Sequence, residues 1–180
     1  MIKKVIIYLF CFVSHICAGE ISVSISESLV NDYLKLIDSH EIPKGGKNDQ
    51  AFWSIIDPYV KFEKGKASFY ATVRYRKEKI NIKKNINKNM YVEYNYDDNI
   101  INLMIENPII TMERKNQSLG KLDISSLYQQ GLKFQGPRPK DETIKLKTIK
   151  GKIKIEMNIK KSLIYFEEKI VRVAIDLDYQ

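Results

Sequence analysis

Hydrophobic residues that recur at every second position constrain this chain more than any other feature. Between Lys152 and Lys160, Ile153, Ile155, Met157 and Ile159 alternate with Lys152, Lys154, Glu156, Asn158 and Lys160. Val171, Val173, Ile175 and Leu177 repeat the pattern near the C-terminus, and Phe69, Ala71, Val73 and Tyr75 show it earlier. A period of two sends one set of side chains to a buried face and the other to solvent, as in an antiparallel sheet wet on one side. Helical periodicity is clearest in one segment. Ser26 suits a helix N-cap and Glu27 a first turn, and Leu29, Val30, Tyr33, Leu34 and Ile37 then form one apolar stripe. The spacing predicts a helix over 27–39.

The remaining punctuation orders the chain. Ile21–Ser26 reads as a short strand, and Pro43–Gln50 as a loop. Ser54–Phe62 and Ala67–Arg76 flank Glu63–Lys66, a hairpin turn in which Gly65 supplies the positive φ. Ile80–Ile86 is strand or loop, and Tyr91–Tyr96 and Ile100–Met112 enclose a turn at Asp97–Asn99. Gln117–Gly120 interrupts the pattern, and Leu122–Leu132 makes a short helix capped by Asp123 or Ser125. After the rigid loop Gly136–Pro139 come three strands, Thr143–Ile149, Lys152–Lys160 and Leu163–Asp178.

The expected class is therefore α+β. A helix about 20 Å long cannot cover about seven or eight strands unless the sheet curls over it. The expectation is a strongly curved, mostly antiparallel sheet wrapped around one long N-terminal helix, with a short second helix. Such an arrangement leaves an apolar seam in which Leu29, Tyr33 and Ile37 face Phe69, Val73 and Tyr75. Those six are the candidate ligand-binding residues. Trp53, Phe62, Tyr94 and Phe134 either line the same seam or fill a core.

The first nineteen residues read as an address. Lys3 and Lys4 precede the uninterrupted apolar run Val5–Val13, and Ser14–Gly19 is smaller and more polar. That is the plan of a secretory signal peptide, and the run is too short to span a bilayer. Cleavage after Gly19 would leave a single domain, residues 20–180, exported to the periplasm or envelope of a bacterium or secreted. Cys11 and Cys17 would leave with the leader, so no disulfide is expected and stability rests on the core. Neither cysteine follows a small residue, so lipid attachment is not expected.

Little catalytic chemistry is legible. His40 is the one histidine of the expected mature chain and stands where the helix ends. Zinc sites and Cys–His pairs lack their residues, so no metal, cofactor or catalytic residue is assigned and the protein is not expected to be an enzyme. Gly45–Lys47 lacks the rest of a phosphate loop, and Asn116–Ser118 is a glycosylation sequon. The net charge of +8 falls by the two charges of Lys3 and Lys4 on cleavage. Lysines cluster at 77–88 and 145–161, but arginine and stacked aromatics do not concentrate there. Contact with an anionic membrane surface fits such faces; nucleic acid is not expected.

The serine-rich apolar lead-in, the helix ISESLVNDYL at 25–34, the glycine-turn hairpin and the lysine-studded meander resemble small bacterial periplasmic members of the tubular lipid-binding (TULIP) superfamily. The resemblance spans residues 21–178 and lies in the pattern of elements. It implies a bent sheet wrapped on the N-terminal helix and a lipid carried between them. The expected function is non-catalytic binding of an apolar or amphipathic ligand, a lipid. The alternative is an envelope interaction, assembly or inhibitor protein with a filled core, and a hydrolase using two carboxylates ranks third.

Overall fold

The computed structural model describes residues 20–46, 49–128, 132–139 and 143–180. The expected leader, 1–19, lies outside them. In chain order the elements are β1 (Glu20–Ser26), α1 (Glu27–Leu36), β2 (Glu41–Lys44), β3 (Ala51–Glu63), β4 (Lys66–Lys77), β5 (Ile80–Asn95), β6 (Ile100–Ile105) and β7 (Ile109–Arg114). They continue with β8 (Gln117–Asp123), α2 (Ser125–Tyr128), β9 (Lys133–Gln135), β10 (Thr143–Thr148), β11 (Gly151–Glu167) and β12 (Ile170–Tyr179). Every pairing among them is antiparallel.

The class is as the alternation predicts, but the strands form three sheets rather than one. A six-stranded sheet runs β2-β3-β4-β5-β6-β9, a four-stranded sheet β1-β12-β11-β10, and β7-β8 make a separate pair. The sheets curl as half-barrels. Buried residues from all three, including Val173, Ile175, Trp53, Phe69, Ile101 and Met112, make one core. The β3–β4 and β11–β12 turns are tied together, for Gly65 N–H donates to Phe166 C=O (3.0 Å) and Lys169 N–H to Phe62 C=O (3.1 Å). Gly65 holds the expected positive φ, +81°.

The helix is not long. Ser26 caps it as expected, accepting from Leu29 N–H at 3.2 Å, but α1 ends at Leu36 and not at residue 39. The reason lies on β3. Its outer edge pairs with β2 only over Ala51–Ser54, and a bulge follows between Ile56 and Tyr59. The rest of that edge is met by α1 and the turn after it. Ser39 N–H donates to Ile55 C=O (2.7 Å), and Asp57 N–H to the Asp38 carboxylate (2.8 Å). The Asn31 amide accepts from Val60 N–H (2.7 Å) and donates to Val60 C=O (3.1 Å), while Glu27 accepts from Phe62 N–H (2.7 Å). Unpaired backbone must find partners, so residues 38–39 leave the helix to serve the strand.

Other boundaries moved for similar reasons. Pro43 lies in the edge strand β2, where its missing N–H is tolerated. Ile80–Asn95 is one strand. The expected interruption at Gln117–Gly120 is β8, reached by a turn in which Lys115 (φ 50°) and Asn116 (φ 64°) are both left-handed. The expected helix 122–132 is a single turn, Ser125–Tyr128, within the described residues. Lys152–Lys160 belongs to the longer strand β11, and Leu163–Asp178 is divided by a turn before Ile170.

Candidate functional site

The candidate seam residues are placed in three different settings. Phe69, Val73 and Tyr75 point into the core and are buried. Trp53 packs edge-on against Tyr75 with ring centroids 5.0 Å apart. Val30 and Leu34 are the buried residues of α1; Tyr33 and Ile37 pack at its margin, and Leu29 is 53% exposed. The six residues thus do not share one open face between helix and sheet.

Open space lies next to this packing, at Tyr128. Asp123 seats the single turn α2 by accepting from Ser125 N–H (2.9 Å) and Ser125 Oγ–H (2.7 Å), bonds that hold its carboxyl below the usual aspartate range. The turn carries Tyr128 inward until it is 2% exposed, with its ring 5.3 Å from that of Phe69. Two clefts meet there. One, of about 250 Å³, is walled by Leu36 at the end of α1, by Ile37 and His40 after it, by Ile42 and Ile55, and by Leu127 and Tyr128. The other, of about 600 Å³, runs along Leu103–Ile105 of β6 to Leu132 and Lys133, with Tyr128 at its wall. Ligand sites commonly measure ~300–1,000 Å³ and are mainly apolar with few polar groups.

The Tyr128 hydroxyl is a polar group that the packing of the described residues leaves unmatched. It is buried and has no hydrogen-bond partner among the described residues. Burial pushes its ionisation well above the ordinary tyrosine value, with Tyr33 and Asp38 adding in the same direction. The group therefore remains a neutral O–H donor throughout the physiological range. Buried hydroxyls nearly always find a partner, and an unmet one costs about 1–3 kcal/mol. An acceptor oxygen brought by a ligand would remove that penalty.

His40 sits at the mouth of the smaller cleft. Its Nδ1 lies 3.0 Å from the main-chain carbonyl of Asp38, whereas the Asp38 carboxylate is engaged by Asp57 N–H and Ser39 Oγ–H. Among the described residues, no group of three or more His, Cys, Asp or Glu is placed to hold a metal ion, and no helix is long and apolar enough to cross a membrane. Comparison of the chain with protein-family profiles, curated proteins and solved structures found no match. Of the sequence candidates, Ile37 lines a cleft and Phe69 packs on Tyr128, while Val73 and Tyr75 lie in the core behind them. Tyr128 escaped sequence reading because one helical turn is too short to show a period.

Proposed function

We propose that this is an exported, non-catalytic protein of the bacterial envelope that binds an amphipathic ligand, a lipid, in the clefts meeting at Tyr128. The ligand's apolar chain lies along Leu103, Met104 and Leu132, and an oxygen of its polar end accepts from the Tyr128 hydroxyl. The observation that carries this reading is the buried, unpartnered hydroxyl beside two clefts. The apolar part of the lining, Leu103, Met104, Ile105 and Leu132, supplies about 0.8 kcal/mol per CH₂ removed from water. A carboxylate or ester oxygen supplies the directional contact, stronger when charged. The resemblance to the TULIP superfamily supports the same ligand class, at a site displaced from the expected seam between α1 and the curled sheet.

Replacing Tyr128 by Phe separates a binding role from a packing fault. Removing an unsatisfied buried hydroxyl leaves the fold as stable or more stable. Fatty-acid affinity, measured by titration calorimetry, is expected to fall roughly tenfold, one hydrogen bond's worth. A folded Tyr128→Phe variant that binds fatty acid as the parent does would refute the assignment of that hydroxyl.

A further inference from the structure

The β10–β11 hairpin forms one edge of the four-stranded sheet, and within it β10 pairs with β11 alone. β11 pairs with β12 from Met157 to Glu167, continued by two backbone bonds between Glu156 and Gln180, and with β10 only from Gly151 to Glu156, so the two partners overlap at Glu156 alone. The hairpin is a two-stranded ribbon running on past the C-terminal end of β12. Its register sorts the side chains sharply. Ile144 opposes Ile155 and Leu146 opposes Ile153 on one face, whereas Lys145 opposes Lys154 and Lys147 opposes Lys152 on the other. Ile144, Leu146 and Ile153 are 39–48% exposed, and Ile149 stands fully exposed at the tip beside Lys150. Lys154 is paired with Glu156; Lys145, Lys147, Lys150 and Lys152 have no ion-pair partner among the described residues.

A two-stranded ribbon is marginal on its own, and like charges opposed across it destabilise it further. An apolar face left in water beside such a lysine face asks for one kind of surface. It must be apolar beneath, negatively charged at its boundary, and broad enough to take the ribbon and its tip together.

We infer that the β10–β11 hairpin is a docking element for anionic lipid bilayers. Ile144, Leu146, Ile149 and Ile153 enter the acyl boundary, and the lysines of the opposite face lie at headgroup depth. An apolar face sunk ~5–10 Å into the interface leaves the charged face level with the phosphates, as for amphipathic interfacial helices. The inference stands apart from the Tyr128 clefts, because none of these residues lines them.

Flotation of the purified protein with phosphatidylcholine vesicles, with and without phosphatidylglycerol, tests it. Binding is expected on the anionic vesicles, falling as salt is raised. The triple change Lys145→Gln, Lys147→Gln and Lys152→Gln should weaken it by about fivefold per lysine. The pair Leu146→Thr and Ile153→Thr, both compatible with a strand, should weaken it by about tenfold or more. Circular dichroism checks that each variant is folded. No flotation by the folded parent, or flotation that both variants retain, overturns the inference. So does a dimer in sedimentation that the Leu146/Ile153 pair dissolves, because the face then belongs to a second copy of the chain.

Discussion

Asn31 ties α1 to β3 across twenty-nine residues of sequence. From half-buried Asn31 on α1 the side-chain amide serves both backbone groups of Val60, just after the β3 bulge, as a neighbouring strand would. Asn31→Ala should cost about 2 kcal/mol by leaving both groups unmatched. Asn31→Asp, which still accepts but cannot donate, should cost roughly half of that. Urea denaturation followed by the fluorescence of Trp53, the single tryptophan, measures both. Neutral behaviour of Asn31→Ala would mean that water serves this edge as well as the amide does. Gly120 is the second such residue. Its φ is +155°, and a Cβ there would stand 3.2 Å from the Trp53 ring. Gly120→Ala is expected to cost about 1–2 kcal/mol through strain and crowding and to shift Trp53 emission; an unchanged spectrum and stability would show that β8 moves aside freely.

At the scale of elements, α2 depends on an acid. The Asp123 carboxyl titrates below its ordinary 3.8, chiefly because the Ser125 hydroxyl and then the Ser125 N–H bond to its charged form. A depressed folded value contributes stability that is present above the unfolded value and is lost as pH falls through the folded one. The gap in melting temperature between the parent and Asp123→Ala should therefore be constant at neutral pH and close only in acid below 3.8. A gap that narrows already toward neutral pH would place the dependence on another group.

Elements were legible where alternation ran unbroken and illegible where geometry interrupted it. The Ser26 cap and the Gly65 turn follow from residue type alone. The end of α1 does not, because it is decided by the β3 edge, far away in sequence. A bulge between Ile159 and Lys161 shifts the pairing within β11, so one long strand reads as two. The turn into β8 uses Lys115 and Asn116 in left-handed conformations without a glycine to announce it.

At the scale of the molecule, the arithmetic of one helix against many strands led to a curled sheet with space beside the helix. The sheets do curl, and Phe69, Val73 and Tyr75 are buried in their core. The residues of the core were therefore legible, whereas the clefts were not. The larger cleft lies along β6, where β9 pairs antiparallel to it and Leu103 N–H donates to Leu132 C=O at 2.9 Å. No local pattern encodes a pairing between segments so far apart in sequence. Lysine alternation at 145–154, by contrast, was plain in the sequence, and only the register showed that its apolar face is left uncovered.

Native mass spectrometry of the protein purified without detergent tests the central claim most directly. The account predicts excess mass that organic extraction identifies as a fatty acid or phospholipid, with lower occupancy in Tyr128→Phe. A bare mass in both proteins, with no uptake of added lipid, would contradict it and leave the core filled and the clefts without a lipid to hold.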